Sequence, residues 1–150
     1  MLENAITLTL LGGGIELDPG TFQNEASALL LIESNGTAVV AVTGSTDFTN
    51  SGLIEKEASI GTSVIDAVWT GTGTVLVQSG TLDFTDGGSA SASAFTVAAG
   101  TTLEFPGGTF TLSGGTYGAA GKTLIAASDL LVDGSIASGT VMTLAVEHWN

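Results

Sequence analysis

Leu103-Glu104-Phe105-Pro106-Gly107-Gly108-Thr109-Phe110 decides how this chain is read. Apolar and polar residues alternate through Leu103-Glu104-Phe105, which places Leu103 and Phe105 on one side of a strand and Glu104 on the other. Pro106-Gly107-Gly108 cannot continue that strand and marks a turn. Alternation then resumes at Thr109-Phe110-Thr111-Leu112. A close copy stands upstream as Ile15-Glu16-Leu17-Asp18-Pro19-Gly20-Thr21-Phe22. Weaker copies are Thr46-Asp47-Phe48-Thr49-Asn50-Ser51-Gly52 and Leu82-Asp83-Phe84-Thr85-Asp86-Gly87-Gly88. With the acidic residue as marker (16, 47, 83, 104), the copies are 31, 36 and 21 residues apart. A degenerate repeat in this range predicts a solenoid, in which each unit buries its apolar face only against its neighbours. The uneven spacing predicts coils of variable length. A β-sandwich is the alternative all-β architecture.

The same rhythm extends on either side. Thr74-Val75-Leu76-Val77, Phe95-Thr96-Val97 and Leu130-Leu131-Val132 are short strand candidates. Gln78-Ser79-Gly80, Ala98-Ala99-Gly100 and Ser113-Gly114-Gly115 are turn signals between such runs. Ala26-Ser27-Ala28-Leu29-Leu30-Leu31-Ile32 fits a buried strand or a short helix. Ser51 to Trp69 predicts two strands around a turn at Gly61. Composition agrees: 22 Gly, 22 Thr and 14 Ser together occupy 58 of the 150 positions, favouring short strands and tight turns over helix.

Charge excludes several classes of partner. Fifteen Asp and Glu face only Lys56 and Lys122, for a net charge of −13. Phosphate backbones are gripped by Lys and Arg, so nucleic acid is excluded as a partner. An anionic membrane surface is excluded on the same ground. No run reaches about 18 apolar residues, so no membrane-inserting helix is predicted. The absence of cysteine removes disulfides and thiolate metal sites. Met1-Leu2-Glu3-Asn4 lacks the basic and apolar regions of a signal peptide, so residues 1–150 are expected to be one solenoid domain, a fragment of a much longer repetitive protein.

From Asn50-Ser51-Gly52-Leu53-Ile54-Glu55-Lys56 the pattern runs on through Gly61-Thr62-Ser63-Val64-Ile65 and Gly73-Thr74-Val75-Leu76-Val77-Gln78-Ser79-Gly80-Thr81-Leu82. It continues in Val97-Ala98-Ala99-Gly100-Thr101-Thr102-Leu103 and Gly107-Gly108-Thr109-Phe110-Thr111-Leu112-Ser113-Gly114-Gly115. This series resembles the Gly/Thr-rich repeats of very large bacterial surface proteins of the filamentous-haemagglutinin and autotransporter-passenger type. The resemblance implies a single-stranded right-handed parallel β-helix acting as stalk or adhesive surface, outside the cell or on it. It carries over no catalytic residue.

The chemistry-bearing residues form no recognisable catalytic set. Gly121-Lys122-Thr123 matches the end of a phosphate loop, but Thr116 stands where the required glycine would be, and a strand follows instead of a helix. His148, the one histidine, lies beside Trp149 near the end and has no nucleophile partner. One His without Cys cannot close a zinc site. Asp83 with Asp86, or Glu16 with Asp18, are carboxylate pairs of the kind glycosidases use, yet aromatic residues make up only 6% of the chain and six of the nine are Phe at inward positions. Asp83-x-x-Asp86-Gly87 lacks the Gly-Gly-x-Gly-x-Asp spacing of calcium-binding repeats. Thr-x-Thr at Thr7/Thr9, Thr72/Thr74 and Thr109/Thr111 is too sparse for an ice-binding ladder. Asn35-Gly36-Thr37 has the form of a glycosylation sequon and reads as a turn.

The expectation is therefore an all-β parallel solenoid with inward Leu, Val, Ile and Phe and outward Asp, Glu, Ser and Thr. It has no catalytic, cofactor-binding or metal-ligating residues, and no cofactor. Its role is that of a structural or adhesive segment. A carbohydrate- or ice-contacting module and a β-helical polysaccharide-degrading enzyme are the alternatives. Expected partners are a host surface or carbohydrate, weakly held divalent cations, and further copies of the chain stacked end to end as salt or cation rises.

Overall fold

The computed structural model describes residues 1–43, 46–126, 129–136 and 141–144. The chain winds as a parallel β-solenoid of about six turns. Each rung contributes three short strands, and equivalent strands of successive rungs pair to build three faces. The first face holds β1 (Leu2–Asn4), β4 (Thr21–Asn24), β7 (Asp47–Asn50), β10 (Val68–Gly71), β13 (Gly88–Ser91), the start of β16 (Thr109–Ala119) and β18 (Asp129–Ile136). The second holds β2 (Thr7–Leu10), β5 (Leu29–Ile32), β8 (Leu53–Lys56), β11 (Thr74–Val77), β14 (Ala94–Val97) and the end of β16. The third holds β3 (Ile15–Leu17), β6 (Gly36–Ala41), β9 (Thr62–Asp66), β12 (Thr81–Phe84), β15 (Thr102–Phe105), β17 (Lys122–Ile125) and β19 (Val141–Leu144). All of these pairings are parallel, whereas a β-sandwich needs antiparallel sheets. Among the described residues there is no helix.

Register refines the repeat. Leu2, Phe22, Phe48, Trp69, Gly88, Phe110 and Leu130 stack in one column, so successive rungs advance by 20, 26, 21, 19, 22 and 20 residues. Phe22 and Phe110 are thus true equivalents, as their matching octapeptides predict. Two parts of the alignment need correction. Asp47-Phe48 lies on the first face and Asp83-Phe84 on the third, so those copies are not equivalent. On the third face Ile15, not Leu17, falls in the column of Val39, Ile65, Phe84, Phe105 and Ile125. Leu103-x-Phe105 and Ile15-x-Leu17 share a spacing of two, so a two-residue slip keeps the apolar side inward and passes unseen.

The ambiguous stretches resolve by the same geometry. Residues 26–28 form the corner and Leu29–Ile32 is strand β5. Ser51 to Trp69 holds three strands rather than two, because the chain turns at Ala67 from the third face of one rung to the first face of the next. Ala67 is fully buried, and its small side chain suits a corner this tight.

The core is a stack of rings. Trp69 packs edge-on to Phe84 at 5.5 Å and to Phe95 at 5.9 Å, and stacks with Phe110 at 5.9 Å. Phe105 stacks with Phe84 at 5.6 Å and meets Phe110 at 4.1 Å. Like side chains in one column face one another across a strand spacing of about 4.8 Å, which favours parallel offset rings.

Polar groups also enter the core. Asn4, Asn24 and Asn50 form an inward ladder at the first corner: Asn4 Nδ2 donates to Asn24 Oδ1 (2.8 Å) and Asn24 Nδ2 to Asn50 Oδ1 (2.7 Å). The same nitrogens donate to the carbonyls of Leu29 and Leu53, satisfying otherwise buried backbone oxygens. The ladder stops at Gly71, where an added Cβ would lie 2.6 Å from the Trp69 ring.

Lys56 occupies an inward position between Ile32 and Val77 and is fully buried. Its Nζ donates to the Ser59 carbonyl at 2.7 Å and to the Ser59 hydroxyl. Burial lowers its pKa from the usual 10.5. The ammonium charge therefore costs stability at neutral pH, a penalty that lifts as pH rises toward 10.5. Lys56→Met keeps the apolar stem and removes the charge, and should raise stability at pH 7 by about 1–2 kcal/mol in urea melts. Lys56→Ala empties the column and should lose about 2–4 kcal/mol.

Candidate functional site

Because the interior is filled, any function lies on the outer faces, and the three differ in chemistry. On the first face Thr49, Thr70, Ser89 and Thr111 fall in one outward column, with the Thr49 and Thr70 hydroxyls 3.5 Å apart. Two residues further along each rung stand Ser51, Thr72, Ser91 and Ser113, so four consecutive rungs present hydroxyl-x-hydroxyl pairs. The Thr-x-Thr copies visible in the sequence do not build this array. Thr7/Thr9 sit on the second face and Thr72/Thr74 straddle a corner, so only Thr109/Thr111 belongs to the first face. What escaped detection is that Ser replaces Thr at one or both positions in three of the four copies and that the true step is 19 to 22 residues.

On the second face the outward positions include Leu29, Leu31, Leu53 and Leu76, each half-buried. This departs from the expected polar exterior. Leu29-Leu30-Leu31-Ile32 has no alternation to show which residues point out. A groove of about 450 Å³ runs along the corner beside this strip, lined by Leu29, Leu53, Ser51 and Thr72 among others.

The third face is acidic. Asp83 and Glu104 are register partners in adjacent rungs and point outward, opposite the buried Phe84 and Phe105. Asp66 and Asp86 lie near them, and Thr85 Oγ1 donates to Asp66 Oδ1 at 2.6 Å. Burial first, then the charges of Glu104 and Asp66, push the Asp83 pKa from 3.8 up to about 6. Asp86 is raised by burial and by Asp66. Asp83 Oδ1 is buried without a hydrogen-bond partner. Among the described residues no three His, Cys, Asp or Glu converge as a metal-holding group. Glu16 and Asp18 are exposed on the first rung, where Thr43 donates to Asp18.

The folded state binds the Asp83 proton more tightly than the unfolded chain, so ionisation opposes folding and stability falls as pH rises from about 4 through 6. Asp83→Asn should raise stability at pH 7 by about 1 kcal/mol, discounted for solvent screening. It should also flatten the urea midpoint between pH 4 and 6. An unchanged pH profile would show that another group governs it.

Lys122 opens strand β17, exposed, and Thr123 behind it is buried, so the Gly121-Lys122-Thr123 segment is strand and corner rather than a phosphate loop. Asn35 is exposed at a corner bend, as the turn reading expects. His148 and Trp149 lie outside the described residues.

No protein-family model, curated protein or solved structure matches this chain.

Proposed function

We propose that the chain is a structural or adhesive segment of an extracellular or bacterial cell-surface protein, serving as a rigid stalk or passenger and not as an enzyme. The observation that carries this reading is the continuous core: each rung packs mainly on its neighbours, so the rod lengthens by about 4.8 Å per added rung. About six turns span roughly 30 Å. A surface with net charge −13 resists collapse onto other acidic chains. Antibody labelling of intact and permeabilised cells of the source organism tests the location. Label that appears only after permeabilisation overturns it.

A second reading, a carbohydrate- or ice-contacting module, is favoured by the hydroxyl array on the first face. Flat rows of hydroxyls at a fixed spacing can order water or accept sugar hydroxyls. Thr70→Lys with Thr111→Lys leaves the core untouched and breaks the array at two rungs. If this reading holds, the wild-type chain shows thermal hysteresis or retention on a glycan panel and the double variant loses it. A wild-type chain inactive in both assays removes this reading.

A further inference from the structure

We propose that Ser59 accepts an acyl group covalently, with the side-chain amine of Lys56 as the base that takes its proton. Two bonds join the pair. Lys56 Nζ, at the end of a buried stem, donates to the Ser59 hydroxyl and, at 2.7 Å, to the Ser59 carbonyl. Ser79 of the next rung donates to that same carbonyl at 3.0 Å. Between the two partners Ala58 holds a φ of +65°, a left-handed conformation unfavourable for any residue with a Cβ. The Ser59 N–H donates to the Glu57 carbonyl at 2.8 Å and closes the same bend. Strained backbone of this kind persists where its surroundings over-determine it, and it gathers at reactive sites. The pair does not serve stability either, since the buried ammonium opposes folding.

The chemistry follows from the protonation state of the amine. Burial lowers the Lys56 pKa from 10.5, so its neutral form is reached at lower pH than in an exposed lysine. The neutral amine still donates to the Ser59 carbonyl, while its lone pair accepts the hydroxyl proton. Oγ then bonds to the carbonyl carbon of an activated ester as Nζ takes the hydroxyl proton. The ester C–O bond breaks, and Nζ returns the proton to the departing alcohol. The products are an acyl-serine and free alcohol, with Lys56 restored and no change of oxidation state. The step modifies the stalk and needs no turnover. Ser59 is only part-buried and lies between exposed Ala58 and Ile60, the latter 90% exposed, so an apolar acyl chain has a surface to meet. Glu55 and Glu57 flank Lys56 on outward positions, with Glu33 one rung earlier, and their charge disfavours a phosphoryl or other anionic donor.

The test treats the full chain with p-nitrophenyl acetate and locates the added acetyl groups over time by mass spectrometry with fragment mapping. Ser59 should be acetylated about a hundredfold faster than any other serine of the chain, the effect of one positioned base. Ser59→Ala should abolish that adduct. Lys56→Met removes the base and is expected to raise stability, so it should slow Ser59 acetylation by about a hundredfold with circular dichroism unchanged. The wild-type rate should also rise with pH to a plateau whose midpoint lies below 10.5, and the Lys56→Met rate should lack that midpoint. Four results would each overturn the proposal: no acetyl on Ser59, acetyl on Lys56 in its place, Ser59 reacting no faster than other serines, or equal rates for wild type and Lys56→Met.

Discussion

Phe105→Ala should lower the stability of the isolated chain by about 4–5 kcal/mol, the upper part of the range for a buried phenylalanine. The ring is fully buried and touches three others: Phe84 at 5.6 Å, Phe95 at 6.3 Å and Phe110 at 4.1 Å. Truncation therefore removes the transfer free energy of the ring together with three aromatic contacts. The neighbours belong to separate strands held in ladder register and cannot close the gap. Glu104→Gln, one position away and facing solvent, should change stability by under about 0.5 kcal/mol. Its direction should be favourable, since it removes a charge that raises the Asp83 pKa. Urea denaturation of both variants checks the pair. Similar losses from the two would mean that the inward and outward faces are misassigned.

Gly88→Ala should also be severely damaging, with a loss above about 3 kcal/mol and chain that fails to accumulate in folded form. Gly88 holds a φ of +141°, outside the range of ordinary residues. A Cβ there would sit 1.8 Å from the Trp69 carbonyl oxygen and 2.7 Å from its carbonyl carbon. Both are backbone atoms of a paired strand, so neither can retreat without breaking the ladder. The position has a packing role as well. Gly88 separates Trp69 from Phe110 in the ring column, and its missing side chain lets those two rings stack at 5.9 Å although a rung lies between them. Gly100→Ala is the control. Gly100 has a φ of +83°, but an added methyl would meet nothing within 4 Å, so its substitution should cost only about 1 kcal/mol of backbone strain. Thermal melts of both variants separate steric collision from strain.

The stiffness needed for the proposed stalk comes from the stacking of rungs on one another. Each rung is satisfied mainly by the rungs beside it, through backbone ladders and stacked rings. The buried polar residues follow the same logic. Asn24 and Asn50 are satisfied because each lies between rungs.

What the sequence determined by itself was the fold class and the inward side of most strands. Leu82-Asp83-Phe84 and Leu103-Glu104-Phe105 alternate cleanly, and alternation on a pleated strand leaves one choice of face. The excess of acid over base set only an expectation, that anionic partners are disfavoured. Only the tertiary structure decided the register between rungs, because a two-residue slip preserves alternation and Ile15 and Leu17 look alike from within one strand. It also decided which outward residues share a face. Thr49, Thr70, Ser89 and Thr111 become a row only when steps of 21, 19 and 22 residues are brought into ladder pairing. Asn4, Asn24 and Asn50 each follow an apolar residue by two positions, a signal present in the sequence. Its meaning depends on stacking, since Asn4 and Asn24 each donate to the Oδ1 of an asparagine one strand spacing away, a partner that exists only once the rungs are in register.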